Sequence, residues 1–246
     1  MPRSWSSPWP GRASRSGLRQ VGAGYEGFVF VIVDPMLVAI LGLAGAAWGF
    51  AADRLAVRWP AHDVDHPAGR ATGWRTAVAI AAGAAFLAGT GVRYGGEPLA
   101  LTAVGAAFIA LVLLLAVDLD QRLLPDLLTL PLVIAALVFA LSGRNPLVGD
   151  AIIPALAVAL VPPVVLWAIS LPFGAGAFGG GDVKLLVGIG LLAGFPRALA
   201  GLMAGLLVAG VVLVALLAAG RISRRTFVPF GPFLIAGAAW GILLVP

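Results

Sequence analysis

Long apolar runs occupy most of this chain and constrain its fold more than any other feature. About eight runs are present, at residues 36–52, 76–92, 98–117, 127–141, 151–173, 184–195, 198–220 and 230–245. A helix of about 20 apolar residues crosses a bilayer. Continuous runs argue against a transmembrane β-barrel, whose strands alternate apolar and polar residues. The sequence therefore predicts an all-α fold, a polytopic membrane bundle of about eight transmembrane helices.

The composition agrees with a membrane protein and indicates how its helices pack. The 246 residues are 61% hydrophobic and 11% charged, whereas a soluble domain carries about 25% charged residues. The 33 glycines allow helix backbones to approach closely. The sixth run is short, so it either extends back through the glycines before it or ends within the bundle. Pro162 and Pro163 predict a kink in the fifth run.

The N-terminal segment differs from the rest of the chain. Residues 1–25 are polar and rich in Ser, Gly and Arg, which predicts a disordered extension that we bound at residues 1–35. Residues 36–246 are expected to form a single membrane-embedded domain. A signal peptide is the weaker interpretation, because the apolar stretch begins only near Gly27 and further spans follow. Met36, immediately before the first clean run, is an alternative natural start to Met1.

The basic residues predict the orientation in the membrane. The net charge is +5, but the cations fall in short loops, which indicates contact with lipid headgroups rather than nucleic acid. The loops on one side hold Arg54, Arg58, Arg70, Arg75, Arg122, Lys184, Arg221, Arg224 and Arg225. The opposite loops hold Arg93, Arg144 and Arg197. The positive-inside rule therefore places the first side of this multi-pass protein in the cytoplasm.

Asp118 is the first candidate functional residue, because it directly follows a long apolar run. It opens a polar stretch that contains Asp120 and Arg122 and ends at Pro125-Asp126. An ionisable group at the edge of a span is costly and is a functional candidate by default. The alternative is a polar turn with capping carboxylates. That alternative explains Asp120 and Asp126 better than Asp118, since Asp126 is expected near the start of the fourth helix.

Asp182 is the second candidate. It follows three glycines, which include Gly179 and Gly181, and it precedes Lys184. Glycines allow close backbone approach and can present the carboxylate at a turn entering a helix. The alternative is a flexible loop with Asp182 as an ordinary helix cap. Two carboxylates brought together share one proton, so one acts as acid and the other as base.

These stretches together resemble the type 4 prepilin peptidase family, the GxGD class of membrane aspartyl proteases. The residues from Asp118 to Asp126 resemble the family's first motif, and Gly179, Gly181, Asp182 and Lys184 resemble its Gly-x-Gly-Asp-x-Lys motif. The segment from Pro229 through Gly231 to Pro232 resembles its Pro-Phe-Gly-Pro segment.

The resemblance implies a function and a set of site residues. Asp118 and Asp182 are implied as the catalytic pair of an aspartic endopeptidase, with spans three and six converging. The substrates implied are prepilins or pseudopilins of a type IV pilus or type II secretion system, cut after a short basic leader at the cytoplasmic face. Supporting or substrate-binding roles fall to Gly179, Gly181, Lys184, Asp120, Asp126, Pro229 and Gly231, with Arg122 as a further positioning candidate.

The chain departs from many members of this family in its first loop. Bifunctional members carry two Cys-x-x-Cys pairs there that resemble a zinc ribbon, whereas this chain has no cysteine. We expect cleavage to need no metal and no cofactor. S-adenosylmethionine would be needed only if the family's second activity, N-methylation of the new amino terminus, is retained. The loop instead holds His62, Asp63, Asp65 and His66, which we interpret as a solvated polar loop in preference to a metal site.

Two other functional classes compete with the peptidase interpretation. A small proton- or cation-coupled transporter or channel also uses aspartates in its spans. Its carboxylates belong near the bilayer midplane, whereas these lie at one face. A structural membrane subunit of a secretion system is the third class.

Overall fold

The computed structural model describes residues 34–61, 72–173, 178–223 and 228–246. Within these ranges the secondary structure is helical, which confirms the predicted all-α class. The α-helices are α1 Pro35–Ala56, α2 Gly73–Tyr94, α3 Pro98–Gln121, α4 Asp126–Leu141, α5 Ile152–Ser170, α6 Gly180–Ala193, α7 Arg197–Ala218 and α8 Gly231–Leu244. A short 3-10 helix, Leu171–Phe173, follows α5.

Five of these helices are long and apolar enough to cross a membrane. They are α1, α2, α3, α5 and α7, while α4 and α8 are shorter apolar helices. The chain is therefore a multi-pass membrane protein. Helix α6 has 14 residues, and at about 1.5 Å per residue it is too short to cross the core alone. It begins at Gly180, so the sixth run does extend back into the glycines.

The first helix begins one residue before the predicted domain start. Pro35 is its first residue, and the Asp34 carboxylate accepts the backbone N–H of Met36 at 2.9 Å. Proline suits the first helical position, because it lacks the N–H that has no partner there. The predicted disorder of the preceding residues concerns residues 1–33, which lie outside the described part of the chain.

Helix α3 lies at the centre of the bundle. Residues 111–118 are all buried in sequence, as expected for a helix that has neighbours on every side. It packs against α1, α2 and α8, while α6 packs against α4 and α5. The apolar run before Asp118 is therefore surrounded by protein rather than by lipid.

Small residues bring the outer helices together, as the glycine content predicts. A Cβ added at Gly45 of α1 would lie 2.1 Å from the carbonyl oxygen of Gly83 in α2. A Cβ added at Gly237 of α8 would lie 2.2 Å from the carbonyl oxygen of Gly201 in α7. Each distance is too short for two atoms that are not bonded, so these two helix pairs depend on glycine at the crossing point. Helix α5 continues through Pro162 and Pro163.

Candidate active site

Asp118 lies in the last turn of α3 and is nearly inaccessible to solvent. Its residue is 4% exposed, and its Oδ2 atom has no hydrogen-bond partner among the described residues. A buried polar atom without a partner costs free energy, and most such atoms in native proteins are paired. Nη2 of Arg75, Oε1 of Gln121 and Nε of Arg197 are also buried without a partner among the described residues. Asp118 differs from these three because its side chain is a carboxylate, which can exchange a proton.

The backbone of Gly231 packs directly against the carboxylate of Asp118. A Cβ added at Gly231 would lie 2.6 Å from Oδ2 of Asp118 and 2.8 Å from Cγ. No side chain fits in that space, so the first residue of α8 must be glycine for α8 to approach α3 this closely. The third predicted motif therefore adjoins the first one in space, and Pro229 lies half-buried two residues earlier.

Asp182 lies in the first turn of α6, where its carboxylate accepts the backbone N–H of Gly179 at 3.1 Å. A carboxylate at this position also interacts favourably with the helix dipole. The negative charge of Asp182 acts on the Asp118 carboxylate. The two predicted aspartates therefore belong to one candidate site.

The start of α6 approaches α3 through the segment that follows α3. A Cβ added at Gly181 would lie 2.8 Å from Cβ of Leu124. Leu124 is buried three residues after α3 ends. The expected convergence of the third and sixth helices is thus made by this contact, with α6 packed mainly on α4 and α5.

Lys184 and Asp126 form an ion pair that joins the first two motifs. Nζ of Lys184 lies 2.5 Å from Oδ1 of Asp126, and both side chains are substantially exposed. Asp126 begins α4, as predicted, with Pro125 before it. Arg122 ends α3 in the left-handed conformation and is exposed. The ion pair therefore lies on the surface near the aspartates.

Asp120 points to a different partner, which the sequence analysis did not identify. It forms an ion pair with Nη1 of Arg75, and Nε of Arg75 lies 2.6 Å from Oδ1 of Asp53. Arg75 was expected in a loop, but α2 begins at Gly73 and Arg75 is 2% exposed. The correction follows from pairing, because a buried arginine is stable when carboxylates neutralise it.

Asp53 was missed although a signal was present. It lies near the end of the first apolar run, where an ionisable residue meets the same criterion that singled out Asp118. Gln121 was missed as well. Its Nε2 donates to the carbonyl oxygens of Ala56 at 3.3 Å and Pro60 at 3.2 Å.

The contacts above define one end of the bundle, which we call the carboxylate end. It contains the Asp118–Asp182 pair, the Lys184–Asp126 ion pair and the Asp53–Arg75–Asp120 cluster. A second set of contacts defines the opposite end. These are Arg93 to the carbonyl of Val245, Tyr94 to Ile242, Asn145 to Leu192 and Arg197 to Leu147.

Two other kinds of candidate site, a metal centre and an apolar cavity, do not involve the aspartate pair. Within the described residues there is no group of three or more potential metal ligands, and the predicted solvated loop around His62 and His66 lies outside those residues. A cavity of about 310 Å³ lies between α3 and α4, lined by residues that include Ala103, Ala110 and Phe139. Its lining is almost entirely apolar and includes neither aspartate of the pair.

Comparison with known proteins bears on this site. A family model described as the type IV leader peptidase family matches residues 105–218, which include Asp118 and Asp182. The family resemblance predicted from the motifs is confirmed. The leader peptidase match ends before the segment at Gly231, so the contact of Gly231 with Asp118 is an observation of this structure alone.

Curated relatives agree with the leader peptidase family. A prepilin leader peptidase/N-methyltransferase of Aeromonas salmonicida is 40% identical over 134 residues, which cover 54% of this chain and 46% of the relative. Proteins of the same name from Burkholderia pseudomallei and Dickeya chrysanthemi are 38% and 35% identical. These matches cover 64% and 73% of this chain, and 51% and 63% of those relatives. This chain therefore spans about half the length of the first relatives, and no solved structure matches it.

Proposed function

We propose that this chain is a prepilin leader peptidase, an aspartic endopeptidase in which Asp118 and Asp182 are the catalytic pair. The observation that carries the proposal is the buried carboxylate of Asp118, on which the negative charge of Asp182 acts. Two interacting carboxylates at one membrane face suit acid–base hydrolysis. The comparisons do not favour the transporter alternative, since the relatives are named as peptidases.

The proposed reaction needs one ionised and one protonated aspartate. The ionised carboxylate takes a proton from a water molecule, and the protonated one donates a hydrogen bond to the scissile carbonyl oxygen. The water oxygen attacks the carbonyl carbon and forms a tetrahedral diol. Collapse of the diol breaks the C–N bond, and the departing amine receives a proton from the pair. Either aspartate can start as the base, because an interacting pair titrates as a unit.

The glycine contacts support the assignment of one site to the three motifs. Gly231 leaves the Asp118 carboxylate with backbone rather than a side chain as its neighbour, and Gly181 lets the start of α6 approach Leu124 closely. Gly179 donates its backbone N–H to the Asp182 carboxylate. Glycine at these positions therefore allows the segments that carry the two aspartates to pack closely, as positioned reacting groups require.

The substrate and location follow from the same proposal. The substrates are prepilins or pseudopilins of a type IV pilus or type II secretion system. They are cut between a short basic leader and an apolar helix that stays in the bilayer. The carboxylate end faces the cytoplasm of the inner membrane, which the positive-inside rule supports. Cleavage requires no cofactor, and S-adenosylmethionine serves this chain only if methyl transfer is retained.

A cleavage assay tests the proposal directly. The purified protein in detergent is incubated with a peptide that has a basic leader, a glycine and an apolar helix, and the products are identified by mass spectrometry. We expect one cut at the end of the leader. The exposed Asp150, in the loop after α4, supplies a matched control, because Asp150→Asn removes one carboxylate far from the pair. Ion flux in liposomes without any cleavage would refute the peptidase and support the transporter.

A further inference from the structure

Arg75 is buried between helices, unlike a cation in a surface loop. Its guanidinium lies between two carboxylates, Asp53 of α1 and Asp120 of α3, and both of these side chains have no exposed surface. The hydroxyl of Thr76 donates to the second oxygen of Asp53 at 2.7 Å. Arg54 lies 3.8 Å from that oxygen at the surface, so two cations balance two carboxylates. Burying these charges is costly unless they are paired. Both carboxylates are paired here, while Nη2 of Arg75 has no hydrogen-bond partner among the described residues.

The geometry of α3 connects this cluster to the catalytic pair. Residues in an α-helix are about 100° apart around the axis, so Asp118 and Asp120 project from nearly opposite sides of α3. Asp118 faces Gly231 of α8, while Asp120 faces Arg75 of α2. A force that holds Asp120 against the α1–α2 pair therefore also fixes the rotation at which Asp118 meets Asp182.

A second side chain, Gln121, also attaches the last turn of α3 to the end of α1. Helix ends lack backbone partners and open more easily than helix interiors, and α3 ends at Gln121. Gln121 is held by the carbonyls of Ala56 and Pro60, both contributed by the end of α1 and the residues after it. Two consecutive side chains of this turn are therefore attached to the α1–α2 pair. Asp120 projects from the side of α3 away from Asp118, whereas Gln121, three residues after Asp118, lies on nearly the same face as Asp118.

We propose that Arg75 is a positioning residue for Asp118, acting through Asp120 and supported by Asp53. It holds the last turn of α3 at the rotation and depth that the reaction requires, without touching the substrate. This inference rests on the proposed peptidase function for its kinetic consequence, but its structural consequence is independent of catalysis.

Steady-state kinetics distinguish positioning from substrate contact. In Arg75→Gln we expect kcat to fall by about tenfold to a hundredfold, since small displacements of reacting groups have effects of that size. KM should stay within about threefold, because no substrate contact is removed. Arg75→Lys keeps the charge and should recover part of the loss. A rise in KM at unchanged kcat would make Arg75 a substrate-binding residue and overturn the proposal.

Arg93 supplies the matched control, since it lies on the same helix and donates to the carbonyl of Val245 at the opposite end. Arg93→Gln should leave kcat unchanged. If both variants lost activity together with thermal stability, or if Arg75→Gln had wild-type kinetics, the positioning role would be refuted. If Arg75→Gln does not fold, the same kinetics are measured on Arg75→Lys and on the charge-balanced protein Asp53→Asn/Arg75→Gln. A fall in kcat at nearly constant KM supports the positioning role, and wild-type kinetics refute it.

A cross-linking measurement separates this inference from the proposed function. The chain has no cysteine, so Asp118→Cys/Asp182→Cys places the only two thiols at the pair. Mild oxidation should join them in a disulfide in this background, without a reagent having to enter beside the buried position 118, and much less in the presence of Arg75→Gln. Arg93→Gln should not change the yield. If the wild-type chain cleaves no pilin-like peptide, the proposed function fails. The cross-linking result still decides the role of Arg75, and an unchanged yield with Arg75→Gln would overturn it.

Discussion

The two ends of the bundle differ in the kind of polar side chain that they bury. At the opposite end, Arg93, Tyr94 and Asn145 donate to main-chain carbonyl oxygens of neighbouring segments. At the carboxylate end, the buried polar groups are mainly acidic, and Asp118 keeps an oxygen without a partner. Hydrogen bonds from donors to free carbonyls satisfy helix ends and contribute to stability. Nε of Arg197 at the opposite end also lacks a partner, so the two ends differ in the buried carboxylates and not in unsatisfied atoms. Carboxylates can exchange protons with a substrate or water, which makes the carboxylate end the candidate for chemistry.

Removing the charge of either catalytic aspartate should produce the largest effect. We expect Asp118→Asn and Asp182→Asn each to lower kcat by about 10²–10⁴-fold or more, because each removes an acid–base group. Both proteins should still insert and keep their thermal midpoint. Cleavage rates measured with a pilin-like peptide check this. Turnover close to wild type in either variant would remove the functional distinction between the two ends.

The other acidic residues of the carboxylate end sharpen the assignment. Asp126→Asn should lose much less activity, because Asp126 is exposed and paired with Lys184. The kcat loss of Asp120→Asn should lie between that of the two catalytic variants and that of Asp126→Asn. The substitution weakens the contact with Arg75 but removes no reacting group. The ranking of the four variants in one assay is the test. An Asp126→Asn loss as large as that of Asp118→Asn would contradict it.

Adding a methyl group at the closest glycine contacts should have the next largest effect. Gly231→Ala would press on the Asp118 carboxylate, and Gly181→Ala on Leu124. We expect kcat losses of up to about 10²-fold, because the pair would separate. Gly180→Ala is the matched control, since a Cβ there meets nothing within 4 Å. Equal kcat in all three variants would show that the close approach has no role in catalysis.

At the opposite end, substitutions should change stability and leave the chemistry alone. Asn145 donates to Leu192 and accepts from the N–H of Leu147, so Asn145→Ala leaves buried main-chain groups unpaired. The expected loss in the free energy of unfolding is about 1–3 kcal/mol. Thermal unfolding in detergent measures it, with kcat expected to stay within about twofold of wild type. A large fall in kcat at unchanged stability would break the comparison between the ends.

Breaking the exposed Lys184–Asp126 ion pair should have the smallest effect on stability and activity. Lys184→Gln removes a surface contact with Asp126, and such pairs contribute about 0–1 kcal/mol. The thermal midpoint should hardly change, and the small effect should shrink further in high salt. A salt series of unfolding midpoints checks this. A strong kcat loss in Lys184→Gln would instead show that the lysine contacts the substrate.

Much of the fold was predictable because a bilayer permits few solutions. Apolar runs predicted the helices to within a few residues, as for α4, whose start at Asp126 was expected from Pro125. The start of α6 within the glycines was one of two stated possibilities. The central place of α3 was not predictable, because several runs have similar hydropathy and only packing against α1, α2 and α8 distinguishes it.

The candidate site was predictable in its residues and not in its contacts. Asp118, Asp182 and Gly231 were named from motifs, yet the seating of Gly231 on the Asp118 carboxylate depends on the approach of α8 to α3. Arg75 was predicted to lie in a loop because the second apolar run begins at residue 76, whereas α2 begins at Gly73. Its burial there depends on pairing with Asp53 and Asp120, from two other helices.

The sequence by itself determined the helical membrane fold, the approximate spans and the three motifs, because hydropathy and glycine or proline placement act locally along the chain. The tertiary structure alone decided which groups are buried and which face each other. Asp118 and Asp120 are two residues apart, yet one meets Gly231 and the other meets Arg75. Side chains on one helix turn diverge around its axis, so their partners depend on which helices pack on each side.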